Sequence, residues 1–186
     1  MLCRRFCAGN PCRVAVKWVF VRKTVYLSLG SNVGDRAANL RAAISALEFL
    51  GKVTAVSSLY ETEPVEYTQQ PWFVNCAVAL ETDKMPQQLL SALLKIERKM
   101  GRTRQANQIK GPRPIDIDIL LYGSSLIDTA NLQIPHPAMH QRRFVLQPLA
   151  EIVPEERHPI LKRTIQELLN DLPPGQAVRR ISSQLA

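Results

Sequence analysis

Asp116 and Asp118 stand one residue apart in the tract Gly111-Pro112-Arg113-Pro114-Ile115-Asp116-Ile117-Asp118, which runs on into Ile119-Leu120-Leu121. On a β-strand, residues i and i+2 point to the same face, so these carboxylates stand side by side, roughly 6.5–7 Å apart at the Cα level given a rise of ~3.3 Å per residue. Two acids that close repel one another and are costly to bury unless something positive neutralises them. Mg²⁺ does so with one or two carboxylates, phosphate oxygens and water. Arg113, just ahead of the strand, is placed to meet the same phosphates. The spacing therefore predicts a metal–phosphate site. The competing reading is the solvated face of an edge strand. The apolar neighbours Ile115, Ile117, Ile119, Leu120 and Leu121 argue instead for a central strand buried on both faces.

A basic cluster lies just upstream. Lys95, Arg98, Lys99, Arg102, Arg104, Lys110 and Arg113 occur in one stretch whose single acid is Glu97. Lys95 and Lys99 read as a solvated helix face. Arg102 and Arg104 follow Gly101 in a polar loop leading to the acidic strand, a position suited to clamping polyphosphate, because guanidinium forks match phosphate oxygens.

The chain has 186 residues, 46% hydrophobic and 22% charged, which suits a globular protein with one sizeable core. Its net charge of +8 is unevenly spread. Residues 1–23 hold six basic side chains and no acid, while the remaining 163 residues carry 18 basic and 16 acidic ones. The body is thus close to neutral, and a basic stripe for nucleic acid is not expected. Residues 1–23 read as a basic, disordered or misassigned leader, with a transit peptide as the alternative. Residues 24–186 read as a single domain. Cys3, Cys7 and Cys12 lack the C-x2-C pairing of common zinc sites, and Cys76 sits alone in an apolar strand, which fits a reducing cytoplasm. No apolar run reaches the ~20 residues that span a bilayer. Walker-type, dinucleotide-binding and nucleophile-elbow motifs are missing from the sequence.

The elements that must position these groups follow from pattern. A strand over 24–29 ends at Gly30-Ser31-Asn32, and Asp35 opens a helix with Leu40, Ile44, Leu47 and Leu50 on one face. Strands are expected over 52–60 and 72–80, separated by a loop over 61–71. A helix runs from Pro86 to Met100 and ends at Gly101. After the Asp116 strand come a short strand at 126–127, a Pro-punctuated segment, a helix over 144–150, a helix over 164–169 and a polar tail. Mixed order without strict βαβ alternation predicts an α+β fold with a mostly antiparallel sheet.

Four segments in this order resemble the 6-hydroxymethyl-7,8-dihydropterin pyrophosphokinases: Tyr26 to Asp35 (YLSLGSNVGD), Ser58 to Pro64 with Pro71 to Asn75, Gly111 to Asp118, and Pro135-His136 with Arg142-Arg143-Phe144. The resemblance implies a ferredoxin-like α+β fold with helices packed on both faces of the sheet. It implies transfer of a diphosphate from ATP to 6-hydroxymethyl-7,8-dihydropterin in folate biosynthesis, in a cytoplasmic monomer with small-molecule substrates, no nucleic acid and no membrane. Asp116 and Asp118 would hold two Mg²⁺ ions. Arg102 and Arg113 would clamp the transferred group. Arg104, Ile119 and Arg142 would bind ATP, with His136 as a donor to the phosphate chain. Phe73 and Phe144 would sandwich the pterin, whose ring edge would meet Asn75, Thr62 and Val65. Glu63 and the 105–110 loop depart from the family pattern.

Two other functions remain compatible with the residues alone. A D-x-D can serve a metal-dependent glycosyltransferase, and the basic cluster can serve a nucleic-acid-binding module with steeply salt-dependent affinity.

Overall fold

The computed structural model describes residues 22–65, 69–102 and 111–182; residues 1–21 of the leader expected over 1–23 and the loop carrying Arg104 lie outside them, while Lys23 already belongs to the first strand. The described elements are β1 (Lys23–Ser31), α1 (Arg36–Leu47), β2 (Lys52–Val56), β3 (Leu59–Thr62), β4 (Phe73–Thr82), α2 (Pro86–Lys99), β5 (Asp116–Tyr122), β6 (Ile127–Thr129), β7 (Leu132–Ile134), α3 (Arg143–Ile152), α4 (Ile165–Asn170) and β8 (Val178–Ser182). Among the described residues, every pairing between these strands is antiparallel. The main sheet runs β5-β1-β4-β3-β8, with β2 also pairing β4, and β6 and β7 form a separate hairpin. The α+β expectation and its antiparallel sheet hold.

Local chemistry sets the helix starts. The Asp35 carboxylate accepts the Ala38 N–H at 2.9 Å and caps α1. Pro86 opens α2, where no backbone donor is needed. Thr164 and Glu167 form a reciprocal capping box on α4.

Alternation along the strands feeds two separate apolar clusters. Val25, Leu27 and Leu29 of β1 and Cys76, Val78 and Leu80 of β4 pack with Leu40 and Leu47 of α1 and Leu89 and Leu93 of α2. The intervening Tyr26, Ala77 and Ala79 pack instead with Val145, Leu146 and Leu149 of α3 and Leu168 and Leu169 of α4. Each of these fully buried leucines contributes about 1.5–3 kcal/mol of transfer free energy. No helix among the described residues is long and apolar enough to cross a membrane.

Three sequence expectations need correction. The strand expected over 52–60 is two strands, because the chain leaves the ladder at Ser57 and Ser58. Ser57 Oγ accepts the Ala77 N–H at 2.9 Å there, in place of a strand carbonyl. The polar tail contains β8, which pairs with β3. The acidic strand β5 is terminal in the sheet rather than central. It is nonetheless buried, because other groups take up its outer edge. The Ile117 N–H donates to Glu97 Oε1 of α2 at 2.8 Å, and the Leu120 carbonyl accepts the His136 N–H at 2.9 Å. An apolar run thus marked burial correctly but not centrality.

Candidate active site

The sheet face under α3 changes character along its length. On β4 the sequence Ala79, Ala77, Asn75, Phe73 passes from the apolar cluster to a cleft, and on β1 Tyr26 gives way to Ser28 and Gly30. On β5, Leu120 is the extra residue of a bulge in the pairing with β1 and packs with Leu121 in the apolar cluster, and beyond them the same face presents Asp118 and Asp116. The register sets Gly30 opposite both Asn75 and Asp116, and Ser28 opposite Asp118. Small and polar residues at one end of a packed face leave a hollow with a polar floor.

That hollow is an open cleft. Thr62, Val65, Phe73, Asn75, Arg113, Asp116, Asp118, Arg142 and Phe144, all named from the sequence, line it together. Glu63, Pro64 and Gln70 add to the wall. Asn75 is 4% exposed, and its Nδ2 donates to Thr62 Oγ1 at 2.6 Å, which fixes the amide orientation. Gly30 makes this possible: a Cβ there would lie 2.5 Å from Asn75 Oδ1. Each aromatic wall carries a guanidinium, Arg113 at 5.1 Å from the Phe73 ring centre and Arg142 at 5.7 Å from that of Phe144.

The acidic end is compensated by arginines. Arg113 lies 2.7 Å from Asp116, and Arg102 bonds to both Asp116 and Glu97. Arg102 keeps its charge all the more firmly because Asp116 and Glu97 outweigh the effect of its burial. Asp118 differs: burial, then the neighbouring Asp116 charge, pushes its carboxyl well above the usual carboxylate range. Among the described residues, the one buried side-chain atom without a hydrogen-bond partner is Arg113 Nε.

Asp118 also borders a second hollow, together with Ile119, His136, Ser91 and Leu94. There the His136 Nδ1 accepts the Ala138 N–H at 3.2 Å. Burial and then the Arg142 charge lower the His136 pKa, so the ring is neutral with its proton on Nε2, a donor. Ile119 and His136 thus line the second hollow rather than the first, and Asp118 borders both.

Arg102 follows Gly101 and is held by Glu97 and Asp116, and Arg104 lies outside the described residues. Sequence reasoning missed Glu97 and Asn32. Asn32 Oδ1 accepts the Arg113 N–H at 2.7 Å, while its Nδ2 donates to Gln70 Oε1 at 3.0 Å. One buried amide therefore joins the Arg113 turn to the loop before β4. The available signal for Glu97 was its place as the single acid in a basic run. Asn32, in the Gly30-Ser31-Asn32 turn, offered a motif but no role.

The arrangement can hold a flat heterocycle between two aromatic side chains with its edge on Asn75. It can hold polyphosphate at the adjoining acid–arginine corner. Among the described residues no three His, Cys, Asp or Glu side chains gather as a self-sufficient metal cage.

Residues 26–154 match the model of the 7,8-dihydro-6-hydroxymethylpterin-pyrophosphokinase family. A Bacillus subtilis 2-amino-4-hydroxy-6-hydroxymethyldihydropteridine pyrophosphokinase is 48% identical over 129 residues, covering 68% of this chain and 76% of that protein. A folic acid synthesis protein of Schizosaccharomyces pombe is 42% identical over 87% of this chain, but the match spans only 22% of its length. A Dictyostelium discoideum folic acid synthesis protein behaves similarly, 41% identical over 84% of this chain and 24% of its own. The wild-type Plasmodium falciparum HPPK-DHPS crystal structure with pteroate aligns at a TM-score of 0.67 and 19% identity, covering 81% of this chain and 44% of that one. At that identity the likeness concerns the fold.

Proposed function

Because this chain belongs to the 7,8-dihydro-6-hydroxymethylpterin-pyrophosphokinase family, we propose that it transfers the pyrophosphoryl group of ATP to 6-hydroxymethyl-7,8-dihydropterin, releasing AMP, as a step in folate biosynthesis. Residues 24–186 would form one such domain, ferredoxin-like, with α1 and α2 on one face of the sheet and α3 and α4 on the other. The observation that carries the reading is the cleft itself, where two aromatic rings and a buried amide adjoin two acids and two arginines.

In this reading Phe73 and Phe144 stack on the pterin, Asn75 recognises its ring edge, and Thr62 and Val65 line the remaining edge. The hydroxymethyl oxygen attacks the β-phosphorus and gives up its proton to water, the bond from the β-phosphorus to the oxygen bridging to the α-phosphate breaks, and AMP leaves with that electron pair. Little covalent work falls to the protein in such a transfer, so positioning and charge neutralisation dominate. Arg113 offers an unpartnered buried N–H for a phosphate oxygen. Arg102 would exchange its hold on Asp116 for the transferred group. His136 donates from Nε2 to the phosphate chain, and Ile119, Arg142 and Arg104 bind the rest of ATP.

The donor set fits Mg²⁺. Asp116 and Asp118 share one face, and the mutual repulsion felt at Asp118 is what a divalent cation relieves. Two carboxylates without a third ligand suit a metal that takes its other oxygens from phosphate and water. When bound, Mg²⁺ supplies electrostatic neutralisation of the triphosphate, with two ions expected.

The test uses ATP labelled on the β-phosphate, Mg²⁺ and the hydroxymethylpterin with the full chain. Label moving to a pterin diphosphate with equimolar AMP is the expected result. Absence of AMP from well-folded protein would remove the assignment.

A further inference from the structure

The carboxamide of Gln176 touches two parts of the pterin cleft at once. Its Oε1 accepts the Phe144 N–H at 3.2 Å, and its Nε2 donates to the Glu63 carbonyl at 3.0 Å. The next residue continues the clasp, since the Glu63 N–H donates to the Ala177 carbonyl at 3.2 Å. Phe144 and the Glu63–Val65 segment both line the cleft.

Each partner needs what Gln176 provides. The first N–H groups of a helix have no partner within it. Phe144 lies in the first turn of α3, and the cap residue Arg142 supplies no side-chain acceptor. Glu63 follows the end of β3, where the ladder stops. A primary amide carries a donor and an acceptor on one rigid plane, so one group serves both needs.

The segment bearing Gln176 is itself held in place. Arg143 donates to the Leu172 and Pro173 carbonyls at 2.9 and 3.2 Å, β8 pairs with β3 in the register Thr62↔Val178, and Arg179 stacks 5.3 Å from the Trp72 ring centre. The segment from Leu172 to Arg179 lies beyond residue 154, where the family match ends.

We propose that Gln176 is a positioning and specificity-determining residue for the pterin: its amide sets the position of the Phe144 ring relative to the Glu63–Val65 wall, and so the shape of the slot. The inference rests on the assignment of this cleft to the pterin. Gln176 touches no reacting atom.

Two variants test it. Gln176→Met keeps the length and loses both hydrogen bonds, whereas Gln176→Glu keeps an acceptor for Phe144 but turns an oxygen toward the Glu63 carbonyl. Loss of these bonds should raise the KM for the pterin roughly tenfold in Gln176→Met, equivalent to about 1.4 kcal/mol. Turnover number and KM for ATP stay within about twofold, and the pterin dissociation constant from fluorescence quenching rises in parallel. Should Gln176→Met not fold, Gln176→Glu decides, with the same split expected. An unchanged pterin KM, or both KM values rising together with a lower melting temperature, overturns the proposal. If the unaltered protein fails to bind pterin, the assignment of the cleft falls first. Normal wild-type binding with indifferent variants removes only the role of Gln176.

Discussion

Glu97 of α2 accepts the backbone N–H of Ile117 at 2.8 Å, the residue lying between Asp116 and Asp118 on β5. A helix side chain thereby completes the open edge of the acidic strand. The same carboxylate bonds Arg102, which in turn reaches Asp116. A single buried acid, 2% exposed, therefore fixes both the strand and one cation of the cleft.

Replacing Glu97 by Leu strips Ile117 of its acceptor and leaves Arg102 with half its anchorage. Breaking such a network costs about 3–5 kcal/mol, because a buried charge and a buried N–H lose their partners. Urea unfolding of Glu97→Leu measures it, with Glu97→Gln expected between the two because it retains an acceptor. A midpoint equal to wild type for Glu97→Leu contradicts the role.

Asp118 links pH to stability in an unusual direction for a carboxylate. Burial, followed by the Asp116 charge, raises its pKa from 3.8 to about 7 in the folded protein. Between those values the native state binds a proton that the unfolded chain does not, so this group's contribution falls as pH rises and its deficit is complete above about 7. Asp118→Asn abolishes that deficit. Its ligand-free melting temperature should exceed wild type at pH 8, and the difference should shrink toward pH 4. Parallel melting curves across that range would count against the shift.

The same substitution should ruin turnover. Loss of one electrostatic stabiliser in a transfer reaction costs about 10²–10³ in rate. Asp116→Asn and Asp118→Asn are each expected to cut AMP formation by at least that factor. Neither change should alter the far-ultraviolet spectrum. A rate within twofold of wild type at either position excludes the acids from the reaction.

Gly30→Ala offers a steric test of the pterin edge. The added Cβ would meet Asn75 Oδ1 at 2.5 Å, so the amide must turn away from Thr62. Calorimetry should show pterin affinity weakened about tenfold, the scale of one lost amide recognition. ATP affinity should be unaltered. Retained pterin affinity would show that Asn75 does not meet the ring.

Much of this arrangement could be read from residue order, and the exceptions share a cause. Asp35 capped its helix as expected, and the period of two correctly set Asp116 beside Asp118 and Phe73 beside Asn75. These depend on neighbours in sequence. The break at Ser57 depends on a side chain replacing a strand carbonyl across the sheet. β8 carries Arg179 and Arg180, so its pattern reads as solvated tail until the pairing with β3 is known. Arg102 was recognisable as a phosphate-seeking group, but its partners, Glu97 and Asp116, are five and fourteen residues away and meet it only through the packing of α2 on β5.

A strand at the margin of its sheet has a flank that no neighbour occupies. On β5 that flank leaves Asp118 bordering two hollows at once. A charge placed in either hollow would act on the same acid, and so would be felt from the other side. Communication between them needs no hinge or sliding helix, only a side chain with two audiences.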